Sequence, residues 1–171
     1  MMVALRNLGW TLLTLLICLP CFAHREPDHN AQKGVLDLRN TDLFDHPVKL
    51  HGEWKLSWMP LLSPDSLSSA TPDLAPYPRL WKDLRLHGQT YPTQGYATYS
   101  LTILLPKKRP RMGLEVPDTY CSYKLFVNGL LQSQNGQPAT TREASTPFWA
   151  TRTVVLPAGE PDTLEVVIQI A

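Results

Sequence analysis

The stretch GYATYSLTILLP, residues 95–106, decides the fold of this chain. Its side chains alternate along the segment: Ala97, Tyr99, Leu101, Ile103 and Leu105 fall on one face, and Thr98, Ser100 and Thr102 fall on the other. A period of two over this length predicts a β-strand with one face packed against a core. A glycine opens the stretch and a proline closes it. We therefore expect Tyr99 to be a core residue of a sheet.

Further alternating segments flank this strand on both sides. They are residues 35–40, 48–58, 111–118, 120–129, 130–136, 148–157 and 162–171. Asn128-Gly129 separates two of them, and both residues accept positive φ, which predicts a β-hairpin. No long stretch has a helical period. The sequence therefore predicts an all-β sandwich or jelly roll.

Three places depart from simple alternation. Gly52 divides the segment 48–58 and predicts a bulge or a change of face. Residues 60–80 hold five prolines and several serines, so we expect a long loop without regular pairing. One short helix is expected there, with Ser63 as its cap and Pro64 as its first residue. The last segment ends on apolar residues at Ala171, which indicates either a fragment of a longer chain or a final strand with an open edge.

The first 23 residues have the pattern of a secretory signal peptide. One basic residue, Arg6, precedes an apolar run over residues 8–23 that ends in a small residue. The alternative is a retained membrane anchor, but the run is shorter than the ~20 residues of a spanning helix and contains Pro20. Residues 24–33 are polar and are expected to form a flexible leader. Residues 34–171 are then one domain, truncated at its C-terminus.

The charge balance limits the partners of the exported chain. Removal of 23 of the 171 residues leaves 148, with 15 basic and 15 acidic side chains, because Arg6 is the only charge removed. Nucleic acid as a partner would require a basic excess, so we expect none. Cys121 is the one cysteine left, which excludes an intramolecular disulfide and predicts a buried, inert thiol.

Catalytic motifs are absent from the sequence. No nucleophile elbow, phosphate loop, dinucleotide glycine pattern or zinc spacing occurs. The five histidines are scattered, at positions 24, 29, 46, 51 and 87. Glu115 and Asp118 lie three residues apart and so on opposite faces of a strand, where they would not converge on one bond. We expect no catalytic residue, no metal and no cofactor.

Aromatic side chains beside polar loops are the candidates for ligand binding. They lie at strand ends or in connections, and they are Trp81, Tyr91, Tyr96, Tyr120 and Trp149. Such rings stack on the apolar faces of sugars, while Arg and Asp side chains bind the hydroxyl groups. Arg142, in the polar loop 137–147, is the candidate of this second kind. The alternative is that the rings cap the core, where we also expect Trp54 and Trp58.

The series GYATYSLTILLP, GLEVPDTYCSYKLFVNG, SQNG and DTLEVVIQI resembles a known domain. It is similar to the galactose-binding-like jelly roll that precedes the membrane region of bacterial seven-transmembrane receptors with diverse intracellular signalling modules. The GEW of residues 52–54 and the stretch 78–81 fit the same series, and the likeness covers most of residues 34–170. The sugar-binding domain of β-galactosidase-type glycosidases looks similar more distantly, through the strand ending in proline and the VNG hairpin.

The resemblance implies a galactose-binding-like jelly-roll β-sandwich with a sensory role. It implies a non-catalytic, periplasmic ligand-sensing domain of a signalling receptor, followed by membrane helices and a cytoplasmic output module. A carbohydrate or another small polar molecule is the expected ligand. The resemblance carries no ligand residues with it; Tyr96, Tyr99, Asp118, Tyr120 and Asn128-Gly129 transfer as fold-defining positions only.

Two alternatives to the receptor interpretation belong to other functional classes of protein. The first is a sugar-binding-type accessory β-sandwich of a secreted glycoside hydrolase. The second is a self-contained protein-interaction module that pairs with a partner through its final strand.

Overall fold

The computed structural model describes residues 29–117, 121–156 and 161–171. The predicted signal peptide, the first part of the predicted leader and Tyr120 lie outside these ranges. Within them, the strands are β1 (Asn30–Ala31), β2 (Val35–Asp37), β3 (His51–Trp58), β4 (Asp73–Tyr77), β5 (Arg85–Leu86), β6 (Gln89–Thr90), β7 (Ala97–Leu104), β8 (Gly113–Val116), β9 (Tyr123–Val127), β10 (Leu130–Asn135), β11 (Arg152–Val155) and β12 (Thr163–Ile170). Two short 3₁₀ helices span Pro64–Ser69 and Trp81–Asp83. No helix of the described residues is long and apolar enough to span a membrane.

One large sheet forms the body of the domain. Its antiparallel strands lie side by side in the order β4–β3–β7–β12–β9–β10. The final strand, β12, is therefore interior: Val166 lies opposite Leu101 of β7 on one side and Val127 of β9 on the other. The expectation that the last strand offers an open edge is wrong, because both of its edges are already hydrogen-bonded.

The two N-terminal strands fill a gap in this sheet. β3 pairs with β7 only over Lys55–Trp58, and beyond that point β1 pairs with β3 and β2 pairs with β7, both in parallel. Gly34 connects the two sides, since its N–H donates to the carbonyl of Glu53 and its carbonyl accepts from the N–H of Thr102. The described end of the predicted leader is therefore not loose, and Ala31 is buried in the core.

Gly52 makes room for the first strand. Its φ of 118° lies in the region that favours glycine, and a Cβ there would stand 2.3 Å from Asn30 Oδ1 and 2.4 Å from the backbone nitrogen of Ala31. The glycine predicted as a bulge or change of face is thus the point where the backbones of β1 and β3 approach each other closely.

A second layer completes the sandwich. β8 and β11 form a separate antiparallel pair, and β5 and β6 form a small hairpin. Val116, Val154 and Leu156, from β8, β11 and the residue after β11, belong to the same buried cluster as Tyr99 and Leu101 of the large sheet. The predicted all-β sandwich is confirmed.

The segment 60–80 is only partly a loop. The predicted short helix begins at Pro64, and its cap Ser63 contacts Ser66 through the two hydroxyl oxygens at 2.9 Å. β4 follows and pairs with β3, contrary to the expectation that prolines forbid pairing. Pro76 is tolerated because β4 is an edge strand in the described part of the sheet, where an imide nitrogen without a hydrogen interrupts no ladder.

The opening stretch is buried on both faces rather than one. Tyr99 is 1% exposed, as predicted, but Thr98 and Ser100 of the polar face are buried too. Thr98 Oγ1 accepts from the N–H of Leu62 at 2.8 Å and donates to the carbonyl of Pro60 at 2.9 Å. The loop after β3 therefore covers this face and satisfies its hydroxyl groups. The predicted hairpin turn is confirmed, with φ of 48° at Asn128 and 81° at Gly129.

We expect Gly52→Ala to lower the free energy of unfolding by about 3 kcal/mol or more, because strained φ and overpacking each cost about 1–3 kcal/mol. Gly88→Ala is the matched control: φ there is 75°, but a Cβ would meet nothing within 4 Å, so a cost of about 1–2 kcal/mol is expected. Urea denaturation of both variants measures the difference. Equal losses would contradict the close approach of β1 to Gly52.

We expect Tyr99→Ala to lower the free energy of unfolding by about 3–5 kcal/mol, because it removes a large buried ring. Tyr99→Phe keeps the ring and loses only the oxygen that accepts a hydrogen bond from Trp81, so a loss of about 1 kcal/mol is expected. Denaturant midpoints of the two variants test this. A loss below about 1 kcal/mol for Tyr99→Ala would mean that the ring is not packed as described.

Candidate functional site

Three aromatic rings meet at the edge of the sheet where β3 ends. Trp58 is the last residue of β3, Trp81 opens the second 3₁₀ helix, and Tyr91 follows β6. The centroid of the Trp58 ring lies 4.9 Å from that of Trp81 and 5.0 Å from that of Tyr91, with interplanar angles of 85° and 86°. We call these three residues the aromatic cluster. All three residues are half-buried.

Contacts with other parts of the chain hold the three residues of the aromatic cluster in place. Gly95 lies against Trp58 so closely that a Cβ would stand 2.6 Å from its ring. The carbonyl of Leu84, a core residue, accepts a hydrogen bond from the backbone N–H of Tyr91 at 3.3 Å. Trp81 Nε1 donates to the hydroxyl oxygen of Tyr99 at 3.0 Å. The cluster is thereby fixed to the core through backbone and side chain.

Polar groups stand beside the rings. Asp73, the first residue of β4, contacts His87 Nε2 through Oδ1 at 2.8 Å, and its side chain is 35% exposed. The Tyr91 hydroxyl group lies 3.5 Å from Asp73 Oδ2, at the outer limit of a hydrogen bond. His87 sits at the tip of the β5–β6 hairpin and is mostly exposed. A carboxylate with unfilled acceptor capacity thus borders the aromatic cluster.

Burial raises the pKa of the tyrosine hydroxyl groups at and next to the aromatic cluster. It raises the pKa of Tyr99 to about 12, although the hydrogen bond from Trp81 acts in the opposite direction. Burial also raises the pKa of Tyr77, whose ring centroid lies 4.9 Å from that of Tyr99. The pKa of Tyr91 is raised as well, first by burial and then by the charge of Asp73. These hydroxyl groups therefore stay protonated at neutral pH.

The structure brings together two of the residues predicted to bind ligand. Trp81 and Tyr91 both pack on Trp58, and Tyr96 lies near them, because its carbonyl accepts a hydrogen bond from the N–H of Met59 at 3.0 Å. Tyr96 itself is half-buried. Trp58, expected in the core, packs against the core while keeping part of its ring exposed.

The other predicted residues lie across the sheet. The loop 137–149 closes on itself through backbone hydrogen bonds between Gln137 and Thr146, and Asn135 of β10 donates to the carbonyl of Phe148. Arg142 is exposed on this loop, and Trp149 is 69% exposed at its end. β10 is separated from β3 by three strands, which places this loop about 19 Å from the aromatic cluster.

Sequence reasoning missed Asp73 and His87. Asp73 falls in the segment expected to be an unpaired loop, so nothing indicated that it stands on a strand beside Trp58. His87 was grouped with scattered histidines. One signal was available: His87-Gly88 between two short segments is a turn dipeptide, and the two residues have φ of 52° and 75°.

A cavity lies at the opposite end of β7. It measures about 320 Å³, at the low end for a ligand pocket, and its lining includes Leu43, Phe44, Val48, Leu50, Ile103 and Met112. Most of the lining is apolar, although Asp45, His46 and Arg111 also contribute to it. The aromatic cluster, with its adjacent carboxylate, is the better candidate for a polar ligand. No group of three or more His, Cys, Asp or Glu side chains in the described ranges is placed to hold a metal ion.

Comparison with known proteins identifies the fold. No protein-family model and no curated protein matches the chain. Among solved structures, β-glucuronidase from Ruminococcus gnavus is 15% identical with a TM-score of 0.51, over 73% of this chain and 22% of that one. The same enzyme in complex with an N1-substituted uronic isofagomine gives 16% identity and a TM-score of 0.50 over 73% and 23%.

A second organism gives the same result. β-Glucuronidase from Bifidobacterium dentium, complexed with coumarin-3-O-glucuronide, is 15% identical with a TM-score of 0.50, over 75% of this chain and 21% of that chain. At such identities the likeness concerns the fold, a β-sandwich. This chain matches less than a quarter of the length of these glucuronidases.

We expect the domain to lose stability as the pH rises from 10 towards 12. The neutral form of Tyr99 is favoured by folding, because its pKa is about 12 in the folded chain and 10.0 ordinarily. The stabilisation from Tyr99 is complete below pH 10. It is lost as Tyr99 of the unfolded chain ionises, and the loss reaches about 3 kcal/mol near pH 12. Urea denaturation at a series of pH values measures this loss. Tyr99→Phe should show a smaller loss, and an identical loss would contradict this role of Tyr99.

Proposed function

We propose that this chain is a non-catalytic carbohydrate-recognition domain of the accessory kind found in glycoside hydrolases, with the aromatic cluster as its binding site. The single observation that carries the proposal is the meeting of Trp58, Trp81 and Tyr91 beside the carboxylate of Asp73. A pyranose ring has apolar C–H faces and a rim of hydroxyl groups. Aromatic faces bind the former, and a carboxylate accepts hydrogen bonds from the latter.

The geometry of the rings supports this role. Trp81 and Tyr91 stand nearly perpendicular to Trp58 rather than stacked on it. Such an edge-to-face contact covers less of a ring face than parallel stacking does. The attachment of the cluster to Tyr99 and Leu84 reduces the ordering that a ligand would have to impose, which favours binding.

The comparisons support the accessory role. The similar solved structures are β-glucuronidases, and this chain matches only about a fifth of their length. A domain of that share contributes recognition or support while the rest of such an enzyme carries the chemistry. The absence of catalysis in this chain is part of the proposal, and it predicts no hydrolysis of aryl glycosides by the purified protein.

The receptor context implied by the sequence resemblance stays a prediction. The receptor and the accessory role differ in what a longer protein that contains this chain would hold beyond residue 171. Apolar segments of about 20 residues there would favour the receptor, whereas a catalytic barrel would favour the hydrolase. Ligand recognition by the aromatic cluster is common to both.

We expect that the binding of an oligosaccharide to this protein depends on the aromatic cluster. In a thermal-shift screen, a saccharide at 100 times its dissociation constant adds about 2.7 kcal/mol, or roughly 5–10 °C in midpoint. Titration calorimetry with each hit should show at least a tenfold weaker affinity for Trp81→Ala, because a ring face is lost. Asp73→Asn keeps the shape but replaces a carboxylate, which accepts hydrogen bonds from hydroxyl groups, and should weaken binding of a neutral saccharide severalfold.

Two exposed aromatic residues serve as comparisons. Phe44→Ala, which changes a ring on the cavity lining at the other end of β7, should leave saccharide affinity unchanged. Trp149→Ala tests the rival site on the loop 137–149. Binding that survives Trp81→Ala and is lost in Trp149→Ala would move the site to that loop. No binding of any saccharide by a cooperatively folded protein would refute carbohydrate recognition.

A further inference from the structure

The segment that carries Trp81 has more basic than acidic side chains. Residues 79–87 contain Arg79, Lys82 and Arg85 against one acidic residue, Asp83. The whole chain is nearly balanced, with 16 basic and 15 acidic side chains. Arg79, Lys82 and Arg85 are all exposed. We call these three residues the basic rim.

The basic rim has no ion-pair partner in the part of the chain that the structure describes. The ion pairs there join Arg39 to Asp37, His87 to Asp73 and Arg109 to Asp162. Asp73, the acidic residue at the aromatic cluster, contacts His87 and forms no ion pair with a residue of the basic rim. These exposed cations remain available to an anion.

Backbone connections place two residues of the basic rim, Lys82 and Arg85, next to the aromatic cluster. Lys82 follows Trp81 within the same short 3₁₀ helix. Arg85 lies opposite Thr90 in the β5–β6 hairpin, and Thr90 directly precedes Tyr91. The hydrogen bond from Tyr91 N–H to the carbonyl of Leu84 closes this arrangement. Lys82 is thus next in sequence to Trp81 of the cluster. Arg85 is next in sequence to Leu84, whose carbonyl binds the N–H of Tyr91.

We infer that the carbohydrate bound at the aromatic cluster is anionic, a sugar that carries carboxylate or sulfate groups; this rests on the proposed function. The rings bind the C–H face of the sugar, and the basic rim binds the acidic substituents on its edge. Because the rim is exposed, each contact contributes modestly and is screened by salt, with a Debye length of about 10 Å at 0.1 M. The chemistry predicts affinity that depends on ionic strength.

The test compares matched polysaccharides that differ only in charge. Polygalacturonate is paired with its fully methyl-esterified form, and a sulfated galactan with its desulfated form, beside neutral xylan, laminarin and galactan. Binding of the full chain to this immobilised set is measured at low and high sodium chloride. At least one charged member should bind tenfold or more tightly than its neutral counterpart, with the preference lost at high salt. The charged member that binds distinguishes carboxylate from sulfate recognition.

Variants separate this inference from the proposed function. Lys82→Gln and Arg85→Gln should each weaken binding of the charged member about two- to fivefold and leave neutral saccharides unaffected. Lys108→Gln is the matched control, because Lys108 is an exposed lysine just beyond the other end of β7 and should change nothing. Circular dichroism melts check that each variant folds.

The possible failures are distinct. Binding that depends on Trp81 but is equal for charged and neutral members would overturn the anionic ligand and leave carbohydrate recognition standing. Salt-sensitive binding that persists in Trp81→Ala would overturn both, because it would be non-specific attraction to the basic rim. The absence of binding to every polysaccharide would also overturn both.

Discussion

The pairing of β12 along the whole of β7 is the interaction on which the rest of the structure depends. It runs without a break from Thr163 opposite Leu104 to Ile170 opposite Ala97. Because side chains alternate with a period of two, this one register places the apolar faces of both strands on the same side of the sheet. β3 and β9 then add to the outer edges of this pair, and β8 and β11 contribute Val116 and Val154 to the core beneath it.

The two ends of β7 have different chemical surroundings. Near Ala97, Trp81 of the aromatic cluster donates a hydrogen bond to Tyr99, and the Asp73 carboxylate and the exposed cations Lys82 and Arg85 border the cluster. Near Ile103 the sandwich opens into a cavity with a mostly aliphatic lining. A rigid central strand thus separates a polar, aromatic surface from an apolar one. Side chains that are anchored to such a strand keep their relative positions, which reduces the ordering that a ligand would have to impose.

The likeness to β-glucuronidases at about 15% identity shows that very different sequences can form a similar β-sandwich. Many combinations of apolar residues fill such a core if volume and alternation are kept. The fold therefore supports many functions, and recognition is proposed from particular side chains at one end of the sheet. Asp73 and His87 are central to it, although neither contributes to the core.

The sequence by itself determined the elements whose causes are local. Alternation predicts the strand at residues 97–104, Asn128-Gly129 predicts a hairpin turn, and Pro64 predicts the start of a short helix. Each of these elements depends on the backbone preferences of neighbouring residues. Local pattern also identified Trp81 and Tyr91 as rings beside polar connections. It could not show that both pack on Trp58, since the three are distant in sequence and meet only through the fold.

Only the tertiary structure decided which strands are neighbours. It placed β12 in the interior, gave proline-containing β4 a place at the edge, and covered Thr98 with the loop at Leu62. It also inserted β1 beside Gly52, where a side chain would collide. The physical reason is common to all four. A period of two reports which face of a strand is apolar, whereas strand order and the covering of faces are set by long-range hydrogen bonds and packing between segments far apart in the chain.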